Sequence, residues 1–263
     1  MQTEEKIAAL RQSLAAYGLK RGGAQSAPLG HAGGDAVIGG GLRIGALHEV
    51  YASDPVHVAP ACAFAAGLAL RLGGEKILVW VATDFASLEF GAPNANGFLE
   101  FGLDPNHLIL LRMSNGEDAL RAATDILACN GVGALVIEIS RAPKALDLTA
   151  SRRLSLAAAQ KGVSAILLRL GAEPQASAAE TRWLVHAATS PPPREDDWGI
   201  PRFNVQLLRN RHGDLGNWEM EWDCGNGLFK QPDNTNSAPH HGDLVAAPFD
   251  GSLAAQASFQ RAV

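Results

Sequence analysis

The sequence predicts an α/β protein: a mostly parallel sheet flanked by helices and extended by an antiparallel C-terminal hairpin. Three observations carry that prediction. Between residues 45 and 188, short apolar runs alternate with helix-length segments, the order of strand and crossover units. The runs are apolar nearly throughout rather than alternating, as parallel strands buried on both faces are. Beyond them, two strand-like segments are joined by His212-Gly213-Asp214-Leu215-Gly216, a turn-forming sequence.

Taken in order, the chain begins with Ile7, Leu10, Leu14 and Tyr17 at steps of three and four, which draws one apolar stripe along a helix over residues 1–19. Such a helix needs a surface to lie on. Residues 20–27, rich in Gly, Ala and Ser, read as a linker that lets it dock on its own domain or on a neighbour. The core domain is expected over residues 28–230. Its parallel strands are expected at 46–51, 77–81, 108–111, 135–139 and 165–170, with crossover helices at 58–72, 87–101, 117–129 and 147–161.

In the last of these helices Asp147 and Thr149 are capping candidates, and Leu148, Leu154, Leu156 and Ala159 supply an apolar face that leaves Arg152 and Arg153 at one rim. Later strands are expected at 183–188, 203–210 and 218–223, the last two forming the hairpin at one sheet edge. Trp218 and Trp222, four apart on a strand, share the core face, with Glu219 and Glu221 opposite. Residues 231–263 contain Asn, Pro and His, have few apolar residues before Leu244, and predict a disordered tail.

Composition narrows the function. The 263 residues are 47% hydrophobic and 19% charged, enough for one large core. A net charge of −5 and a pI near 5.9 disfavour a sequence-independent grip on nucleic acid, which depends on Lys and Arg displacing counterions from phosphates. Cys62, Cys129 and Cys224 are odd in number and contain no CxxC pair. Cys62 and Cys129 sit among Ala and Leu and read as buried thiols in a reducing compartment, so no metal or other cofactor is expected. Glu4, Glu5 and the lack of an apolar h-region argue against a signal peptide, and no apolar run reads as long enough to span a bilayer; the expected location is the cytoplasm.

The loop after the first core strand is where a phosphate rests on a helix N-terminus in such sheets. Here it reads Ala52-Ser53-Asp54-Pro55-Val56-His57-Val58-Ala59. Laid on G-x-x-x-x-G-K-[ST], it puts Ala52 and His57 at the glycines, Val58 at the lysine and Ala59 at the hydroxyl. All four positions lack the group that cradles phosphates or ligates magnesium, and Pro55 and Pro60 each remove a backbone donor. No catalytic residue is expected.

The stretches flanking this loop carry a resemblance. "PLGHAGGDAVIGGGLRIGALHEVYA", residues 28–52, resembles the approach to the core of RecA-type recombinases, where a Gly-rich turn delivers a strand ending in Glu-hydrophobic-Tyr into the P-loop. "GLDPNHLILLRMSNGEDALRAATDILACNGVGALVIEISRAP", residues 102–143, resembles the same proteins' passage through a Gly-Glu-x-Ala-Leu helix start to the Walker B strand. Glu138 stands where that strand usually ends in an Asp that holds magnesium-bound water. Without a lysine or hydroxyl beside it, a hydrogen-bonded strand-end carboxylate is favoured over a metal ligand.

Residues 28–230 resemble more closely still the ImuA family of bacterial damage-induced mutagenesis, on "GGGLRIGALHEVYA", "RAPKALDLTASRRLSLAAAQKGVSAILLR", "SAAETRWLVHAA" and "VQLLRNRHGDLGNWEMEWD". The resemblance implies a RecA-like accessory protein without the standard ATPase motif. Its implied partners are ImuB, a Y-family-like polymerase, together with RecA itself and an error-prone replicative-type polymerase, in an SOS-induced set that copies past lesions at the nucleoid.

Candidate contacts for such partners are Ile7, Leu10 and Leu14 on the N-terminal helix, the pair Arg152 and Arg153, and Arg209-Asn210-Arg211 near the sheet edge. The last resembles a basic-Asn-basic segment that reaches a neighbouring subunit's nucleotide in RecA-like filaments; two solvated arginines at a hairpin end are the alternative. The counterpart of the DNA-binding loop, residues 169–183, has only Arg169 and Arg182 as basic residues and no aromatic before Trp183, which implies weak or indirect DNA contact. Two other classes stay open: an ATPase using Glu138 and an unorthodox loop, and a SulA-type inhibitor of cell division.

Overall fold

Nine of the strands pair into one sheet, because each apolar run finds its partner in register. The computed structural model describes residues 25–141, 143, 145–190 and 199–232. The helix expected at residues 1–19, with Ile7, Leu10 and Leu14, and the tail from residue 233 lie outside the described residues.

A short antiparallel pair comes first, β1 (Ser26–Ala27) with β2 (Leu42–Arg43), around helix α1 (Ala32–Val37). The expected linker therefore ends before Ser26, which is already strand. The main sheet contains β3 (Leu47–Ala52), β4 (Ile77–Thr83), β5 (Leu108–Met113), β6 (Val132–Ser140), β7 (Ser164–Leu170), β8 (Thr181–Ala187), β9 (Arg202–Asn210), β10 (Gly216–Asp223) and β11 (Leu228–Lys230). Its order is β11-β10-β9-β8-β3-β7-β6-β4-β5. From β8 to β5 all neighbours are parallel, and β8 to β11 are antiparallel. The expected fold class is therefore the observed one, with β11 added outside the hairpin.

Four long or paired helical segments cover the parallel strands. Helix α2 (Val58–Gly73) crosses one face and buries Ala61, Phe64, Ala65 and Leu68 against β3, β6, β7 and β8. Gly67 lets it sit close to the aromatic end of the sheet, since a Cβ there would lie 2.6 Å from the Phe229 ring. Together with the preceding turn, residues Pro55–Gly73 are long and apolar enough by composition to cross a membrane, contrary to the reading of run lengths. In this fold their apolar surface is spent on the sheet.

The other face carries α5 (Gly116–Leu127) and α6 (Leu148–Lys161), which pack on each other and on β3, β4, β6 and β7. Asp147, not Thr149, caps α6 by accepting the Ala150 amide at 2.7 Å, and Gly162 closes it in the left-handed conformation. Its buried face is Ala150, Ser151, Leu154 and Ala158; Leu148, Leu156 and Ala159, expected inside, are exposed.

The single helix expected over 87–101 is two, α3 (Asp84–Phe90) and α4 (Ala95–Glu100). Gly91, at φ 92°, ends the first, Pro93 cannot continue it, and Asn94 caps the second. Strand β5, expected to be buried on both faces, is the sheet's outer strand and leaves Ile109 and Leu110 partly exposed. Cys129 is exposed rather than buried, while Cys62 is half-buried, and both are free thiols.

Candidate functional site

The nucleotide-loop position is built from β3, a 3-10 turn at Pro55–His57 and the start of α2. Asp54 is extended, and its Oδ1 accepts the Val56 amide at 2.9 Å while its carbonyl accepts the His57 amide at 3.0 Å. Pro55 takes the first turn position, where its missing N–H costs nothing. Asp54 thus caps the 3-10 turn with its own carboxylate, just ahead of α2, whose own N-cap, His57, makes no side-chain capping bond.

The rest of the loop is fastened down. His57 Nδ1 accepts the Ala187 amide at the end of β8 at 3.1 Å, and its ring stands edge-on to His186 with centroids 4.6 Å apart. Val58, at the lysine position, is buried in the core, and Ala59, at the hydroxyl position, is exposed without a polar group. Ala52 is buried and Ser53 half-buried.

Glu138 lies on β6, two residues short of its end and 2% exposed. Its Oε2 accepts the indole N–H of Trp80 at 2.8 Å. Burial pushes the Glu138 carboxyl above the usual range, and burial likewise pushes up the thiol of nearby Cys62. A carboxyl biased toward its neutral form and facing an indole is poorly suited to hold magnesium. Among the described residues no group of three or more His, Cys, Asp and Glu converges as metal ligands would.

A second polar cluster lies on the opposite face of the sheet, on β3, β7 and β8, and sequence reasoning missed it as a unit. Glu49 is 1% exposed, and its Oε2 accepts Arg182 Nε at 2.7 Å; Arg182 Nη2 donates to Ser177 Oγ at 2.9 Å. Register places Glu49 beside Arg182 of β8 and Tyr51 beside Arg169 of β7. Arg169 Nη2 donates to the Arg141 carbonyl at 2.8 Å, and both guanidiniums sit over the Tyr51 ring, at 5.5 and 5.8 Å. The two basic residues of the 169–183 segment are therefore turned inward, away from any phosphate backbone. The available signal was a charge set inside otherwise apolar strands, in "LHEVYA" and "AILLRL".

The surface candidates separate. Arg152 and Arg153 are exposed on α6, and Arg211 is exposed after β9. Arg209 and Asn210 are half-buried. Asn210 Nδ2 donates to the carbonyls of Val37 and Asp214 at 3.0 and 3.1 Å, and its Oδ1 accepts the His212 amide, so this side chain organises the hairpin turn and joins it to α1. Strand β9 lies inside the sheet between β8 and β10, so Arg209 to Arg211 are not at a sheet edge.

No family model matches the chain. Two curated relatives are similar to it over most of their length: Protein ImuA of Caulobacter vibrioides strain NA1000 / CB15N and Protein ImuA of Caulobacter vibrioides strain ATCC 19089 / CIP 103742 / CB 15. Each is 34% identical over 241 residues, covering 85% of this chain and 89% of the relative.

Proposed function

The chain belongs to the ImuA family, and from that premise we propose that it is a non-catalytic, RecA-like adaptor in SOS-induced, error-prone translesion synthesis. It works in the cytoplasm, at the nucleoid when DNA is damaged. It binds an ImuB-like polymerase-family protein, with RecA and an error-prone replicative-type polymerase as further partners, and meets DNA weakly or through them.

The observation that supports this reading most is the closed loop. Asp54 commits its own carboxylate to the turn by accepting the Val56 amide, and the residue at the lysine position, Val58, is buried in the core. The inward-turned Arg169 and Arg182 support the lack of a strong DNA grip. Arg152, Arg153 and Arg211 remain exposed and available to a partner's carboxylates.

The test is co-purification with the ImuB-like protein encoded by the same organism. The double variant Arg152→Glu, Arg153→Glu and the single variant Arg211→Glu are expected to weaken capture by about tenfold or more while leaving the unfolding midpoint in place. Unchanged capture by both would remove these surfaces from the account. Overproduction that filaments cells by blocking division would favour the SulA-type role, and ATP hydrolysis lost in Glu138→Gln would favour the ATPase.

A further inference from the structure

Helix α6 spends one face on the sheet and turns another to solvent. At about 100° per residue, Leu148, Arg152, Leu156 and Ala159 fall within roughly 80° of one another, on one stripe about three turns long. All four are exposed, Leu148 to 40% and Leu156 to 65%. Arg153 is exposed at the rim of the same stripe.

Charge sets this face apart from an ordinary solvated one. Residues 148–161 contain Arg152, Arg153 and Lys161 and no Asp or Glu, in a chain whose net charge is −5. Solvent-facing helices support themselves with pairs of opposite sign three or four residues apart, as α5 does where Arg121 meets Asp118 at 3.1 Å. Among the described residues, the side chains of Arg152 and Arg153 have no ion-pair or hydrogen-bond partner. The leucines are the second feature. One exposed leucine needs no explanation, but here Arg152 has one at four residues on either side, which makes a continuous ridge of apolar and cationic groups. A phosphate backbone would use the arginines and leave both leucines in water. A surface that carries apolar groups and carboxylates uses every member.

We infer that the outer stripe of α6 docks an acidic amphipathic helix of the polymerase-family partner. This rests on the adaptor reading and names the chemistry of its contact. The partner helix lays apolar side chains on Leu148, Leu156 and Ala159 and sets carboxylates against Arg152 and Arg153. A ridge of residues four apart fits the groove of a second helix, and Ala159 lets that helix come close. Each guanidinium fork can hold a carboxylate through two parallel bonds. A locally positive face on an acidic chain also steers an acidic segment to this place and away from the rest of the surface.

The test uses the full chain and the ImuB-like protein encoded by the same organism. Leu148→Gln with Leu156→Gln, which keeps good helix formers, is expected to weaken capture by about tenfold or more with the unfolding midpoint unchanged. A photo-crosslinking side chain in place of Gln160, exposed beside the stripe, should join one helix-length partner segment that carries Asp or Glu. Replacing those acids by Lys should restore capture of the Arg152→Glu, Arg153→Glu variant. Wild-type capture that the double Gln variant leaves unchanged, a crosslink to a segment without acids, or no rescue by the charge swap would each overturn the docking face while the adaptor reading stands. Capture abolished by nuclease treatment would assign the arginines to phosphate and overturn it as well. Absence of capture by the wild-type chain would remove the adaptor reading itself, and the docking face with it.

Discussion

The two halves of the sheet use charge in opposite ways. In the parallel half, β3 to β7 are covered on one face by α2 and on the other by α5 and α6, and charges that fall inside are paired or capped: Glu49 by Arg182, Glu138 by the Trp80 indole. In the antiparallel half, β9 to β11 press Phe203, Trp222 and Phe229 toward α2. Alternation sends Arg202, Asn204, Gln206 and Glu219 to the face that no described helix covers. The parallel half is covered on both faces and is core. The surface chemistry lies on the antiparallel half and on the outside of α6.

This contrast can be broken by mutation. The largest effect is expected in the parallel half: Glu49→Gln leaves Arg182 buried without its counter-charge and should cost about 3–5 kcal/mol in denaturant unfolding. The matching change in the antiparallel half, Arg202→Met, should cost roughly 1–2 kcal/mol. There Glu219 is half-exposed and Glu221 keeps Lys230 at 3.8 Å. Equal losses would erase the distinction between the halves.

Gly67→Ala tests the seam between them. Its new methyl meets the Phe229 and Trp222 rings, and a loss of about 1–3 kcal/mol is expected, read from the same unfolding curves. A neutral outcome would mean that α2 does not hold the aromatic strands in place.

A smaller effect is expected from Glu138, and it depends on pH. Burial raises its carboxyl pKa above the unfolded value, so the native state keeps the proton to higher pH than the unfolded chain does. Stability from this group is full below the ordinary carboxylate range and declines as pH rises through the raised native value. Glu138→Gln, which stays neutral, should remove that decline and be the more stable protein at neutral pH. A wild type that gains stability over the mutant as pH rises would indicate an ionised, functional carboxylate.

The smallest effect on stability is expected from Arg152→Glu with Arg153→Glu, within about 0.5 kcal/mol of wild type, because both side chains are solvated.

The sheet was legible because its runs at residues 47–52, 132–140 and 164–170 are almost wholly apolar, which only a doubly covered strand requires. The absence of Gly, Lys and a hydroxyl at their expected places in the loop was also legible, since it can be read one residue at a time. What holds the loop in place was not. That His57 would hold the Ala187 amide depends on β8 lying beside β3, a pairing across some 130 residues. The break at Gly91 and Pro93 was visible as residues, but the apolar periodicity around it read through the interruption. Strand β5 carries the same apolar pattern as its neighbours, so nothing local marked it as the outermost strand. Asn210 looked like a contact residue because its arginine neighbours did, and only the fold shows its amide committed to Val37 and Asp214.

The central claim, that the loop is closed to nucleotide and the core serves its surfaces, is met most directly by isothermal titration calorimetry of the full chain with ATP and magnesium. No saturable heat is expected at micromolar nucleotide, and replacing Asp54 by Gly should not create any, because Val58 still stands in the lysine position. Saturable micromolar binding by the wild-type chain, lost when Glu138 is replaced by Gln, would contradict it.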